Sequence, residues 1–495
     1  MSELPRSWHI TSLGEIGLVQ SGVGFPNQAQ GLTSGDYPVY KVSDVSRSVL
    51  QAKGNLKSAN NYVSKETAAS LKGYIFPAGS TLFAKIGEAL KLNRRAFVIQ
   101  EGLADNNVMG YKAEPGVSDR FVYHYLRTQN LAAFSRSTTV PSIRKGDVEE
   151  IIVLLPPADE QTRIAAKLDE LLPQVDTLKA RIDGIPPLLK RFRQSVLAAA
   201  VSGRLTEEWR TNSPPMDKGS ELHQQIKNAH IAEGGHARGN ASNPTEEAHD
   251  LSSDDLPDSW DIAELRDVCV PGRPITYGIL KPGAELEEGV PYIRVADFPG
   301  NKLNIANIKK TSSEIDQQFK RARLLENDLL LSIRGSVGRL IKIPASLEGA
   351  NITQDTARLS ISPLISTDFV YWALLADSTQ RRMKNATRGV AVRGINIGDV
   401  RALQIPLPPH DEQAEIVQRV EQLFAFADQL EARIKAAQVR IDLLTQSILA
   451  KAFRGELASQ DPNDEPASLL LDRIKAQRAV APKGKRGRRS ATMAG

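Results

Sequence analysis

The heptapeptide LPPADEQ occupies residues 155–161, and nearly the same heptapeptide, LPPHDEQ, occupies residues 407–413. The second copy begins 407 − 155 = 252 residues after the first. Two other pairs of segments keep this spacing: LPRSW at residue 4 with LPDSW at residue 256, and QSVLAAAVSGRL at residue 194 with QSILAKAFRGEL at residue 446. Solenoid repeats have periods of only about 20 to 50 residues. The spacing therefore predicts a tandem duplication of two whole modules, an arrangement that imitates a homodimer with a pseudo-twofold axis.

The sequence between these fixed segments is more variable. FVYHYL at residue 121 answers FVYWAL at residue 369, an offset of 369 − 121 = 248 residues, so insertions or deletions separate the two interiors. Both interiors read as short runs of β-branched and aromatic residues with turns, followed by a helical segment. We therefore predict an α+β chain, in which two mixed α/β domains are separated by two long helical regions that form an antiparallel coiled coil.

Each LPP-x-DEQ segment is followed by apolar residues alternately four and three positions apart, which is the heptad seam of a coiled coil. The prolines end a strand, Asp159 or Asp411 is expected to cap the helix, and Glu160 or Glu412 to complement its dipole. A proline pair at 186–187 predicts a break in the first helix that the second lacks. The predicted seam consists of Ile164, Leu168, Leu171, Val175, Leu178, Ile182, Ile416, Val420, Leu423, Leu430, Ile434 and Ile441. Two amphipathic helices in ordinary cores remain the alternative.

These patterns divide the chain into six segments. We predict a first domain at 1–155, a central helical region at 156–210, a flexible linker at 211–255, a second domain at 256–407, a carboxyl-terminal helical region at 408–457, and an extension at 458–495 with a disordered basic tail.

Composition excludes few functions. The formal net charge of +5 is only mildly basic, so a nucleic-acid surface would require local clustering of cations. Cys269 is the single cysteine and cannot form an internal disulfide. The amino terminus does not resemble a signal peptide, and no uninterrupted apolar run reaches the about 18 residues of a spanning helix. We expect a cytoplasmic protein.

Motifs for catalysis or cofactor binding are not found in the sequence. It contains no G-x-x-x-x-G-K-[ST] nucleotide loop and no Asn-Pro-Pro-aromatic motif of amino-methyltransferases. Asp258, Glu264 and Arg266 loosely resemble a nuclease carboxylate pair, but the first module lacks the acids. Four histidines, His223, His230, His236 and His249, fall in the predicted linker, where a solvated spacer is a better interpretation than a metal site. We expect no catalytic residue, metal or cofactor on this chain.

Cationic residues at predicted strand ends and loops are candidates for DNA contacts. Arginine can donate paired hydrogen bonds to guanine or to phosphate, although a solvated charge or an ion-pair partner is the more common role for any one such residue. The candidates are Lys85, Lys91, Arg94 and Arg95 in the first interior, and Arg334, Arg339, Arg381, Arg382, Arg388 and Arg393 in the second.

The two helical frames, from LPPADEQ to TEEW at residues 155–209 and from LPPHDEQ to FRGEL at residues 407–457, resemble the two constant regions of the specificity subunit of type I restriction-modification enzymes, and the LP-x-SW openings agree. The resemblance implies that each interior is a target-recognition domain for one half of a bipartite, asymmetric DNA sequence, with the paired helices as spacer. In that family the turn after the LLLSIRG type of strand is a plausible groove probe, which favours Lys85 and Arg334.

The resemblance also implies partners and cofactors. Two modification subunits, carrying an adenine methyltransferase and S-adenosylmethionine, would dock on the helical frame, and restriction subunits would supply ATP- and magnesium-dependent translocation and cleavage. The chain itself would be a non-catalytic DNA-recognition subunit. Two alternatives remain at this point: a fused restriction-modification enzyme that acts alone, and a DNA-bridging coiled-coil protein without partners.

Overall fold

The computed structural model describes residues 5–135, 140–213, 215, 217–232, 251–388 and 393–480. The chain divides into two compact units. Unit 1 combines residues 1–183 with residues 436–495, and unit 2 spans residues 184–435. The helical regions are therefore parts of the two units, where the sequence predicted separate segments.

The first domain is a mixed α/β structure. A five-stranded sheet has the order β2-β9-β6-β7-β4, a three-stranded sheet has the order β5-β3-β8, and β1 pairs with β10 in an antiparallel ribbon. Its strands are β1 His9–Ser12, β2 Gly17–Ser21, β3 Tyr37–Tyr40, β4 Asn55–Leu56, β5 Tyr62–Val63, β6 Thr81–Ala84, β7 Arg95–Val98, β8 Leu103–Ala104, β9 Val108–Ala113 and β10 Ile152–Leu155. Its helices are α1 Leu13–Ile16, α2 Val42–Gln51, α3 Lys65–Leu71, α4 Glu88–Lys91, α5 Asp119–Thr128 and α6 Lys145–Glu149.

In the described part of the chain, four α-helices lie between the first and second domains. The break predicted from the proline pair is confirmed, since one helix ends at Asp183 and the next begins at Ile185, with a proline in its first turn. These helices are α7 Ala158–Asp183, α8 Ile185–Val201, α9 Glu207–Asn212 and α10 Gly219–Ala232.

The second domain repeats the plan of the first. A four-stranded sheet has the order β12-β18-β15-β16, a three-stranded sheet the order β14-β13-β17, and β11 pairs with β19. Its strands are β11 Asp261–Glu264, β12 Thr276–Tyr277, β13 Val290–Ile293, β14 Lys309–Thr311, β15 Leu329–Ser332, β16 Leu340–Lys342, β17 Asn351–Ile352, β18 Thr356–Leu359 and β19 Gln404–Leu407. Its helices are α11 Ser313–Gln318, α12 Thr367–Leu375, α13 Asp377–Asn385 and α14 Ile397–Ala402, and the chain continues into α15 His410–Ala452 and α16 Ala467–Val480.

Antiparallel helix pairs occur within both units. In unit 1, Asp183 accepts a hydrogen bond from Gln438 at 2.7 Å, and Lys179, one turn earlier, lies 2.6 Å from Asp442, one turn later. In unit 2, Arg193 of α8 donates to Asp428 and Glu431 of α15. Farther along the chain, the carbonyl of Leu205, just after α8, accepts from the Arg419 guanidinium at 2.9 Å. Because the partners advance in opposite directions along the chain, each pair is antiparallel, which agrees with the predicted coiled coil.

Most of the predicted seam is covered. Ile164, Leu168, Ile416 and Val420 have no exposed surface, and the other positions are buried or half-buried with one exception. Leu178 is 48% exposed, so its assignment to the seam is wrong. A two-helix ribbon covers a side chain from one direction only. Positions that also contact the domain are therefore buried fully, whereas Leu178 lies beyond it.

The prediction of a flexible linker at 211–255 is wrong for α10. Leu222 and Ile226 belong to the core of unit 2, and the amide of Gly219 donates to the carbonyl of Ser259 at 2.8 Å. An amphipathic face can bury apolar surface even where the surrounding composition is polar. Residues 233–250 lie outside the described part of the chain.

The carboxyl-terminal extension likewise contains a docked helix. Leu470, Leu471 and Ile474 of α16 join the core of unit 1, and the amide of Ala467 donates to the carbonyl of Ser7 at 3.0 Å. Since Ser259 follows Ser7 by 252 residues, α16 occupies in unit 1 the place of α10 in unit 2. The duplication thus extends through these helices. The predicted basic tail at 481–495 falls outside the described residues.

Among the described residues, no helix is both long and apolar enough to cross a membrane.

Candidate nucleic-acid interface

The glutamate of each LPP-x-DEQ segment joins the helical frame to a domain. Glu160 accepts a hydrogen bond from the indole nitrogen of Trp8 at 2.9 Å, and Glu412 accepts one from the indole nitrogen of Trp260 at 2.8 Å. Both carboxylates are fully buried. Burial raises the pKa of the Glu160 carboxyl, and the hydrogen bond from Trp8 opposes that rise. The tryptophan of LP-x-SW and the glutamate of DEQ therefore form one structural connection.

Glu412 has further partners. It accepts a hydrogen bond from the Thr206 hydroxyl at 2.6 Å and a charge-assisted one from the Arg210 guanidinium. Gln413 continues the connection, since its side-chain oxygen accepts from the amide of Ser366, the residue that caps α12. Gln161 does the same for Ser118, the residue that caps α5. The strand end, the long helix and the domain helix that begins after the capping serine are thereby held together.

The predicted capping role of the aspartates is wrong. The two helices begin at Ala158 and His410, so Asp159 and Asp411 lie inside the first turn. The N-cap residue has a non-helical backbone and lies immediately before the helix. In the two segments that residue is the second proline, Pro157 or Pro409.

Three exposed arginines converge at one loop end of the second domain. The main chain of Arg334, two residues after the end of β15, bridges to Gly394. The amide and carbonyl of Arg388 exchange hydrogen bonds of 2.9 and 3.0 Å with Gly394. The amide of Gly335 donates to the carbonyl of Arg393 at 2.9 Å. Gly335 has a φ of +72°, a conformation that L side chains rarely adopt. Arg334, Arg388 and Arg393 are all exposed, so the bridge presents three guanidinium groups to solvent.

The first domain has the same backbone bridge with different side chains. Ile86 bridges to Ser142, and the amide of Gly87 donates to the carbonyl of Pro141 at 2.8 Å. Gly87 has a φ of +85° and corresponds to Gly335. The residue before each glycine is therefore equivalent, so Ile86 corresponds to Arg334.

Lys85 and Arg334, both favoured as groove probes, are therefore not equivalent positions and differ by one residue. The carbonyl of Lys85 accepts from the amide of Ile143, just as the carbonyl of Ile333 accepts from the amide of Ile395. Lys85 is half-buried. Alignment of the two loop glycines, rather than of the cations, would have found Ile86 from the sequence.

Two of the predicted DNA contacts are structural residues. Arg95 is 3% exposed and donates to the carbonyls of Leu126 and Gln129, which lie at and just beyond the end of α5. Burial lowers the pKa of Arg95 to about 9. Arg382 is 6% exposed and donates to the Thr379 hydroxyl. Neither guanidinium can reach DNA without leaving its place in the domain.

The other predicted cations are accessible to different degrees. Lys91 and Arg381 are exposed but paired, with Glu88 at 2.8 Å and Asp377 at 3.1 Å. Arg339 is half-buried and donates to the carbonyl of Val295. Arg94, also half-buried, is equivalent to Arg339, because β6–β7 and β15–β16 share one register.

The acidic and histidine candidates have structural partners. Glu264 forms an ion pair with Arg266. His223 lies 2.7 Å from Asp261, and His230 lies 2.9 Å from the carbonyl of Asp267, so both histidines attach α10 to unit 2. His236 and His249 are outside the described residues. Within the described part of the chain no group of three or more histidine, cysteine or acidic residues could hold a metal ion.

Comparisons with known proteins agree with the duplicated plan. The family model described as "Type I restriction modification DNA specificity domain" matches residues 5–186 and again residues 257–437. The chain is 33% identical over 492 residues to the type I restriction enzyme EcoBI specificity subunit of Escherichia coli, and the alignment covers 96% of this chain and 93% of that one.

Two solved structures share the fold. A chain from work on complex assembly and conformational transition of the type I R-M system has a TM-score of 0.59 at 19% identity, covering 92% of this chain and 100% of the other. The HsdS subunit from Thermoanaerobacter tengcongensis has a TM-score of 0.51 at 21% identity, with 92% and 98% covered.

Proposed function

Since the chain belongs to the family of type I restriction-modification DNA specificity domains and is a specificity subunit of such a system, we propose that its two domains read the two halves of a bipartite, asymmetric DNA site. Neither alternative, the fused enzyme or the DNA-bridging protein without partners, has support from these comparisons.

The repeated loop bridge is the observation that carries this proposal. Both domains use a positive-φ glycine and equivalent main-chain hydrogen bonds to hold one loop against another. The side chains on that shared backbone differ, with Arg334 in one domain and Ile86 in the other. A constant backbone with variable side chains is suited to two readers of different sequences. Phosphate contacts from other cations would supply affinity without sequence information.

The helical frame is suited to hold partner subunits at a set separation. We propose that two modification subunits, each an adenine methyltransferase with S-adenosylmethionine, dock there, and that restriction subunits add ATP- and magnesium-dependent cleavage. The chain then selects the target and performs no chemistry. The name of the EcoBI relative supports membership in a restriction enzyme, and a cytoplasmic site of action follows from DNA as the shared substrate.

Exchange of one domain tests the division of labour. If residues 8–155 are replaced by those of another family member, the complex with modification subunits should methylate a site in which one half changes and the other is retained. Trp8 and its equivalent must be kept, because Glu160 binds that indole. Sequencing of methylated adenines in the host genome gives the result. A change in both halves would contradict the modular assignment.

A longer helix pair should change only the gap between the half-sites. The change is an insertion of seven residues after Asp176 in α7, together with an insertion of seven residues after Leu444 in α15. These insertions keep Lys179 opposite Asp442 and preserve the heptad phase. Seven helical residues add about 10 Å, or about three base pairs at ~3.4 Å each. The methylated sequence should keep both halves and gain bases between them. An unchanged gap would exclude the spacer role.

A further inference from the structure

The two loop bridges share a backbone arrangement but carry side chains of different chemical character. In the second domain, the bridge of Gly394 to Arg334 and Arg388 brings exposed guanidinium groups together, and Arg393 follows the same loop. No side-chain hydrogen bond or ion pair engages these three arginines within the described residues. A guanidinium group presents its donors in a planar fork, which matches the N7 and O6 acceptors of guanine in the major groove.

Two of the three corresponding positions of the first domain carry no cation; the third, position 136, is an arginine by the 252-residue spacing and lies outside the described residues. Ile86 occupies the place of Arg334, and Pro141 the place of Arg393. The carbonyls of Pro141 and Arg393 accept equivalent hydrogen bonds from the loop glycines. Apolar side chains are exposed close by: Val140 precedes Pro141 and is 53% exposed, and Leu92 directly follows α4 and is 55% exposed. Helix α4 packs against the turn Leu131–Phe134, whose Phe134 is 40% exposed.

Covering exposed apolar side chains at a loop end is favourable, because it removes their apolar surface from water. In the major groove the apolar group available to them is the C5-methyl of thymine. The other acceptors and donors on base edges would leave these side chains without a matching contact.

We propose that the two domains read different base chemistry, the second through the N7 and O6 atoms of guanine by way of Arg334 and its neighbours, the first through thymine methyl groups by way of Leu92, Phe134 and Val140. This inference rests on the proposed function of the domains as half-site readers. It adds the class of base that each domain selects, and it names the residues that make the selection.

Base analogues test the inference with the intact complex of this chain and its modification subunit. The target is first identified by sequencing methylated adenines, and the half belonging to each domain by the domain exchange above. Synthetic duplexes then carry 7-deazaguanine, which lacks N7, or uracil, which lacks the methyl group. We expect 7-deazaguanine in the second half, and uracil in the first half, to weaken binding about ten-fold. The same analogues placed in the opposite halves should change binding less than two-fold.

A pair of matched variants assigns the guanine contact. Arg334→Gln should lose about ten-fold in discrimination at one G·C pair of the second half. Arg381→Gln is the control, because Arg381 is also exposed but lies on α13 and pairs with Asp377. It should leave discrimination at every position unchanged.

Three results would overturn the inference. One is a second half that contains no G·C pair or tolerates 7-deazaguanine, and another is a first half that tolerates uracil. The third is an Arg334→Gln variant that weakens binding to all sequences equally and lowers the salt dependence, which is the behaviour of a phosphate contact. Absence of any methylated target would instead overturn the proposed function, and this inference with it.

Discussion

Replacement of Glu412 by alanine is expected to lower the free energy of unfolding by about 3 to 5 kcal/mol, the usual cost of removing one partner of a buried ion pair. Three donors would lose their acceptor: the Trp260 indole, the Thr206 hydroxyl and the Arg210 guanidinium. The Arg210 side chain is 16% exposed, so water would only partly replace the carboxylate. Chemical denaturation, followed by the fluorescence of the tryptophans, measures the change.

Asp411→Ala provides the matched control for Glu412→Ala. Asp411 is the preceding residue in the same first turn, but its side chain is 76% exposed. Its removal should change the free energy of unfolding by less than about 0.5 kcal/mol. If both variants lowered the free energy of unfolding equally, the buried hydrogen bonds of Glu412 would contribute nothing beyond the effect of an acidic residue on the helix dipole.

Glu160→Ala should have a smaller effect than Glu412→Ala. Glu160 accepts from Trp8 and from the Gln460 amide, and neither donor is charged. An unsatisfied neutral donor costs about 1 to 3 kcal/mol. The comparison separates the contribution of the tryptophan, which both units share, from that of Arg210 and Thr206, which, of the two glutamates, contact only Glu412.

The second large effect is expected from Leu168→Ala, which should lower the free energy of unfolding by about 2 to 5 kcal/mol. Leu168 has no exposed surface and packs in the core of unit 1, where α7 meets the first domain and α15. Its truncation removes buried apolar contacts and leaves a cavity that fixed neighbours cannot fill. Thermal denaturation of the full chain, with and without denaturant, provides the measurement.

Leu178→Ala is the control for Leu168→Ala, because both residues lie on α7 and both fit the heptad pattern. Leu178 is 48% exposed, so its truncation should cost less than about 1 kcal/mol. If both variants lost the same stability, the seam would be uniformly packed and the exposure of Leu178 would be irrelevant to its role.

The fold could be predicted from the sequence where the signal was repeated or periodic. The heptapeptides at 155–161 and 407–413 indicated two modules, and the heptad pattern indicated the paired helices. Composition alone misled at 211–255 and 458–495, where α10 and α16 dock. Their apolar faces are short, and the average composition of each segment is polar, so composition does not reveal them.

The candidate site was predicted less well than the fold. Arg334, Arg388 and Arg393 were named from their type and their place in loops, and they do lie together and exposed. Arg95 and Arg382 satisfied the same criteria and are buried. Ile86 and the apolar residues near it were missed, because a search for cations does not register apolar positions.

The sequence by itself determined the duplicated architecture, the helical frame and the family, because repetition, heptad spacing and long motifs are properties of the order of residues. Only the tertiary structure decided which charges face solvent and what the repeated acids of the two LPP-x-DEQ segments do. Arg95 is buried because the carbonyls at the end of α5, more than 30 residues away, accept its donors. Glu160 binds an indole 152 residues before it. Such partners meet only when the chain has folded, so no local pattern could have identified them.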